Sequence, residues 1–124
     1  MHVRSVTMTS LEIPFRQAFT HASATRSKTE AVLVRAASAR GLVGMGEGCP
    51  RHYVTGETVA GAQEFFRAHQ AEWMTCSSVE DLRDWETAHA DLVDRNPAAW
   101  CAVETAYLDL LGQELEQPIE VLLG

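Results

Sequence analysis

The sequence predicts an α+β domain in which a three-stranded antiparallel meander precedes a bundle of three to four helices. Three observations carry this. Val, Ile, Leu and Thr runs separated by turn signals fill the first 48 residues. Beyond residue 59 the apolar residues recur at spacings of three and four. Helix-start signatures, Ser77-Ser78-Val79-Glu80, Asn96-Pro97 and Pro118, fall in the second half.

At 124 residues the chain is expected to form one domain, residues 1–124. A net charge of −7 and a pI near 5.1 argue against a nucleic-acid or anionic-membrane surface, because both need clustered Lys and Arg. No run of about 18 apolar residues suggests a membrane span. The start MHVRSVTMTS lacks the apolar centre of a secretory leader. Cys49, Cys76 and Cys101 are odd in number, widely spaced and without a CxxC, which argues against a disulfide scaffold or zinc ribbon. A reduced, cytoplasmic protein is the expectation.

In chain order, residues 2–14 read as a strand. Val6 and Met8 share one parity and Leu11 and Ile13 the other, so a bulge near Thr9 or Ser10 is expected, with Pro14 marking an edge or an end. Phe15 to Thr29 has neither period and reads as a long loop of the binding or lid kind, the alternative being a disordered surface loop. Glu30 to Ser38 is apolar on both parities and reads as a central strand buried on both faces, with Arg35 near the strand end either paired to a carboxylate such as Glu47 or snorkelling at an edge. A turn at Gly41 leads to a third strand, residues 42–48. Its alternating Gly44, Gly46 and Gly48 imply close approach of another backbone. They are not a dinucleotide fingerprint, because GxGxxG spacing is missing and the next helix starts about eight residues on.

Thr55 is the expected cap of the first helix, with Glu57 complementing its dipole and Val59, Ala62, Phe66, His69 and Trp73 on its apolar face. A capping box of Ser77 with Glu80 starts the second, which carries Val79, Leu82, Trp85 or Glu86, His89 and Leu92 or Val93. Asn96 caps the third, whose face is Ala99, Val103, Ala106, Tyr107 and Leu110 and which Gly112 closes. Pro118 opens a short last helix.

These residues assemble no catalytic set. His21 and His52 are loop histidines, whereas His69 and His89 sit at core spacing and read as packed or half-buried rather than as metal ligands. Most carboxylates fall opposite the apolar helix faces, Glu104 and Asp109 being candidate anchors. Cys49 reads as a buried small hydrophobe. What stands out is a scaffold with two loops, 15–29 and 49–55, leaving the sheet.

Longer stretches carry a resemblance. VLVRAASARGLVGMGEGCP resembles the hairpin of the N-terminal capping domain of the enolase superfamily, of the muconate lactonising and mandelate racemase type. YVTGET resembles the lead into that domain's first helix, and NPAAWCAVETAYLDLLGQELEQPIEVLLG its third and fourth helices. IPFRQAF and the loop after it resemble its first strand and specificity loop. The resemblance implies a cap over a (β/α)₈ barrel that carries Mg²⁺ and the acid/base lysines and removes the proton α to a carboxylate, as in a cycloisomerase, racemase or dipeptide epimerase. It also implies specificity residues: Phe19, Thr20, His21, Ala22 and Arg26 in the first loop, and Arg51, His52 and Tyr53 in the second. Arg26 is the candidate partner of a distal substrate carboxylate. The sequence stops at Gly124, where such a barrel would begin, so no catalytic residue or metal ligand is expected in these residues and they are expected to be inactive alone. The implied partners are the barrel, a small carboxylate substrate and a second copy in a homo-oligomer. The alternative is a stand-alone interaction module that pairs with another chain through its sheet and helices.

Overall fold

The computed structural model describes residues 1–21 and 24–124, with side chains described outside 19–27. Strands β1 (Val3–His21), β2 (Ala24–Ser38) and β3 (Val43–Gly48) form one antiparallel sheet in the order β1-β2-β3. Six helices follow among the described residues: α1 (His52–Thr55), α2 (Val59–Trp73), α3 (Val79–Ala88), α4 (Ala90–Arg95), α5 (Pro97–Leu115) and α6 (Ile119–Leu123). The meander and the α+β order are as expected. The helix count is higher because α1 is an extra turn and the expected second helix breaks in two at His89, whose backbone (φ −120°, ψ 28°) leaves the helical region.

The sheet departs from expectation in three places. Residues 15–21 and 24–29 extend the two strands and do not form a loop: β1 and β2 stay paired through Ile13↔Thr29 and Pro14↔Lys28 and, after a register shift, through Phe19↔Arg26 to His21↔Ala24. Main-chain hydrogen bonds pair two strands whatever their side chains, so this stretch carries no period to read. The bulge lies between Val3 and Ser5 rather than near Thr9 or Ser10. It brings both Val3 and Val6 onto the buried face despite their odd separation, and leaves Ile13 52% exposed. β2 is central, but full burial runs along one face, with only Ala31 fully buried on the other. Val32, Val34, Ala36 and Ser38 lie under the helices, whereas Arg35 is exposed on the open face, opposite Met45. Glu47 stands opposite Leu33, and no Arg35–Glu47 ion pair forms.

The glycine stripe of β3 is explained by α5. A methyl group at Gly44 would run into the Ala106 carbonyl and the Leu110 amide, one at Gly46 into the Ala102 carbonyl, and one at Gly48 into the Ala98 carbonyl. The collision partners step by four, one helical turn per glycine, so α5 lies along β3 with backbone against backbone. Asp109 fastens the same contact by accepting the Met45 N–H at 2.9 Å. Ala99, Ala102, Val103, Ala106, Tyr107 and Leu110 are fully buried. Phe65, Phe66, Trp73, Trp85 and Trp100 complete the core as an aromatic cluster, with Trp85 and Trp100 stacked at 5.0 Å. The Tyr107 hydroxyl donates to the Trp73 carbonyl.

The helix ends shift by a few residues from their expected places. Thr58, not Thr55, caps α2, accepting from Gly61 N–H at 3.0 Å. Ser78, not Ser77, caps α3, and the carboxylate reaching back is Asp81, which accepts from the Ser77 N–H at 2.8 Å. Gly112 is inside α5, which Glu116 ends with a left-handed φ of 54°. Among the described residues no helix is long and apolar enough to cross a membrane.

Candidate functional site

β3 ends at Gly48, opposite Val32, while β1 and β2 remain paired beyond it to His21↔Ala24. The chain therefore leaves β3 at the end of the sheet from which the ribbon projects, away from the turn at residues 39–42. The two segments singled out in the sequence, 15–29 and 49–55, belong to this one end. The N-terminus of α5 lies here too, since Gly48 packs on Ala98.

Asn96 does not cap that terminus; its side-chain amide donates to the Leu92 carbonyl at 3.0 Å. Glu57 does instead. Its carboxylate accepts the Ala98 N–H at 3.2 and 3.0 Å and the Thr55 hydroxyl at 2.7 Å, and the residue is only 7% exposed. The negative charge complements the α5 dipole, not that of α2 as the sequence suggested. Glu57 also ties down the segment before it. Between buried Pro50 and buried Glu57, α1 has no buried residue: Arg51 and His52 are exposed and Tyr53 is half-buried. Gly56, at φ 77°, closes the turn by donating its N–H to the His52 carbonyl. The result is a hoop anchored at both feet that presents a guanidinium, an imidazole and a phenol.

Of the first-segment candidates, Ala22 lies outside the described residues, and the side chains of Phe19, Thr20, His21 and Arg26 lie outside the described side chains. Their backbones place Phe19 opposite Arg26 and Thr20 opposite Thr25 near the ribbon tip. Cys49 is half-buried rather than buried, its Sγ 3.6 Å from Glu47 Oε1.

A second grouping was not anticipated. His69 and Glu72 on α2 meet His89 between α3 and α4, with ligand-capable atoms all within 4.8 Å of one another. Both histidines are half-buried, as their spacing suggested, but the meeting is tertiary and no short motif announces it. The Trp85 indole N–H, donated at 2.6 Å, chiefly holds the Glu72 carboxyl below its usual range, with His69 and His89 adding to the effect. Two imidazoles and one carboxylate do not suit Mg²⁺, which takes oxygen ligands, and this is the one such three-residue group among the described residues. The described residues therefore offer no fit to Mg²⁺. Beside the cluster, burial pushes the Cys76 thiol up to about 11, with Asp81 and Glu72 adding to it. At the C-terminal end of α5 and on α6, Leu115, Val121 and Leu123 are exposed by 56, 56 and 46%, among the exposed Glu116, Gln117 and Glu120.

Comparison with known proteins bears on this arrangement. Residues 3–124 match the model of the mandelate racemase / muconate lactonizing enzyme N-terminal domain. A hydrophobic dipeptide epimerase of Enterococcus faecalis is 30% identical over 129 residues, covering all of this chain and 35% of the relative. An aromatic dipeptide epimerase of Herpetosiphon aurantiacus is 28% identical, covering 98% of this chain and 34% of the relative. Among solved structures, a dipeptide epimerase from E. faecalis V583, complexed with Mg and the dipeptide L-Leu-L-Tyr, superposes with a TM-score of 0.86 at 29% identity, over all of this chain and 35% of that one. The chain thus spans about a third of the length of the curated relatives it matches. With its meander, its glycine-seated helix and the match across residues 3–124, the chain belongs to the mandelate racemase / muconate lactonizing enzyme N-terminal domain family of the enolase superfamily.

Proposed function

We propose that residues 1–124 act as the substrate-specificity cap of an isomerase of the epimerase and racemase kind, working on a small carboxylate substrate of the dipeptide class. The observation that carries this is the convergence of the ribbon and the α1 hoop at one end of the sheet. The relatives with dipeptide epimerase activity support the substrate class. In this reading a (β/α)₈ barrel outside these residues holds Mg²⁺ and the proton-transferring groups. The cap supplies recognition through Phe19, Thr20, His21, Ala22, Arg26, Arg51, His52 and Tyr53 and is inactive by itself. The exposed apolar residues Leu115, Val121 and Leu123 suit a surface covered by that barrel. They would equally serve a free-standing module that pairs with another chain, the second reading.

The test is deuterium exchange at the substrate α-carbon in D₂O, run on the full product of the coding sequence with a panel of L,L-dipeptides. Arg26→Ala, Arg51→Ala and His52→Ala are each expected to raise KM about tenfold, the worth of roughly 1.4 kcal/mol of lost contact, with kcat changed less. No exchange with any dipeptide, or KM within twofold for all three variants, would remove the proposal in favour of the interaction module.

A further inference from the structure

The His69–Glu72–His89 cluster has the construction of a metal centre. We propose that it binds a divalent late first-row transition ion, with Zn²⁺ as the reference ligand, through one atom of each residue and a fourth, water-filled position facing the groove between α2 and α3.

Four observations converge on this. The first is spacing. His69 Nδ1 is 3.1 Å from Glu72 Oε1, and His89 Nε2 is 3.5 Å from Glu72 Oε2. A tetrahedral ion with bonds of about 2.0–2.1 Å sets its ligands about 3.4 Å apart; both His–Glu pairs sit near that spacing, and the two imidazoles, within 4.8 Å of each other, close on it by side-chain rotation. The second is the tautomer of His89. Its Nδ1–H donates to the Trp85 carbonyl at 2.8 Å, which leaves Nε2 to face the carboxylate. In the neutral ring that edge is a lone pair set against another electron-rich atom, and a cation between them turns the opposition into two bonds. A backbone carbonyl on the far ring nitrogen is also the usual way a metal-binding imidazole is oriented. The third is the support of the carboxylate: the Trp85 indole N–H fixes Glu72 Oε2 at 2.6 Å, so the anionic ligand is held before any ion arrives. Trp85 in turn stacks on the His89 ring at 4.2 Å and on Trp100 at 5.0 Å, which keeps this outer shell rigid.

The fourth observation is access. Glu72 and His89 line an open groove of about 640 Å³ together with Cys76, Asp81 and Asp84. An ion has an entry path, and the groove adds negative charge to attract it. Nitrogen-rich donors with one carboxylate select Zn²⁺, Co²⁺, Ni²⁺ or Cu²⁺ over Mg²⁺ and Ca²⁺. Three protein ligands with an open fourth position match an exchangeable or reactive site better than a closed structural one.

The test is calorimetric titration of tag-free protein with Zn²⁺, alongside visible absorption with Co²⁺. Cys49→Ser/Cys101→Ser serves as the background, so that the more accessible thiols do not compete. One Zn²⁺ per chain is expected, with no saturable Mg²⁺ heat, and Co²⁺ should give ligand-field bands of a low-coordinate N/O site. Glu72→Gln keeps an oxygen for the Trp85 indole and removes only the anionic ligand. It, His69→Gln and His89→Gln should each weaken Zn²⁺ at least tenfold, whereas Asp84→Asn on the groove wall should stay within threefold. Near-ultraviolet circular dichroism on each variant reports whether the aromatic cluster is intact, and Glu72→Gln carries the decision if a histidine variant fails to fold. Absence of saturable Zn²⁺ binding, or binding unmoved by Glu72→Gln in folded protein, overturns the site and leaves a proton-bridged cluster.

Discussion

Gly46→Ala tests whether backbone contact between β3 and α5 organises the domain. The added methyl would overlap the Ala102 carbonyl and the Ala106 amide and would stand 3.0 Å from Thr105 Cβ. Two of the three obstacles are main chain, with no rotamer to swing aside. Relief requires α5 to lift by on the order of 1 Å, enough to forfeit a quarter to a half of the dispersion energy along the seam. Overpacking of this kind costs about 1–3 kcal/mol, and a backbone obstacle puts it near the upper end. Against it stands a gain of about 0.4–1 kcal/mol from a stiffer unfolded chain. The net is a loss of about 2 kcal/mol. At about 4 °C per kcal/mol for a domain of this length, the melting temperature should fall by about 8 °C. Urea unfolding followed by tryptophan fluorescence, with thermal circular dichroism, measures both quantities. Met45→Ala is the control: it sits on the same strand, on the opposite face, 44% exposed, and should cost under about 1 kcal/mol. A Gly46→Ala variant no less stable than Met45→Ala would refute the reasoning and return the glycines to a role outside the fold.

Glu57→Ala should cost about 1–2 kcal/mol in urea unfolding, because it strips both acceptors from the Ala98 N–H at the start of α5. Glu57→Gln, which keeps one oxygen, should cost less, and equal losses for the two would show that the carboxylate is not the cap. For Cys76, a thiol pushed up to about 11 has on the order of one thiolate per thousand at pH 8, and the residue is 5% exposed. The fast phase of disulfide-reagent labelling at pH 8 should therefore be unchanged by Cys76→Ser and reduced by Cys101→Ser. A Cys76→Ser variant that loses fast-phase amplitude would contradict the burial.

The sequence announced those elements whose burial leaves a period. The faces of α2 and α5 follow from one-sided packing against a core, whereas β2 was legible as an apolar run on both parities, which overstated its burial on the open face. The glycine alternation was informative in the same way, since only a neighbouring backbone gives three small residues on one face a purpose. What was missed has little to do with burial. The distal ribbon is paired by main-chain hydrogen bonds, which any polar sequence can make, so ATRSKTE read as loop. The caps went to neighbours of the expected residues, because Thr55 and Thr58, or Ser77 and Ser78, are chemically equal until the backbone decides between them. Glu57 capping α5, 41 residues away, and the His69–Glu72–His89 meeting are tertiary contacts with no local signature. Of the site, the positions of both segments could be read, but not their common end of the sheet, which depends on strand register.

That common end has a consequence for how recognition can vary on this scaffold. α5 is seated on β3 by the backbone, and the position of its N-terminus follows from where β3 stops. Glu57 then binds a main-chain N–H of that terminus, so the hoop's second foot is fixed without reference to the side chains it carries. Arg51, His52 and Val54 point into solvent and contribute nothing to the core. Their replacement falls in the class of surface changes worth within about 0.5 kcal/mol. The strands of the ribbon are likewise joined by backbone pairing, from Phe19↔Arg26 to His21↔Ala24. The fold is thus held by glycine, alanine and aromatic positions, and Arg51, His52 and Val54 of the hoop lie outside that core. In the cap role proposed above, a change of substrate would then require no repacking of the hoop, only new side chains on a backbone whose second foot Glu57 already holds.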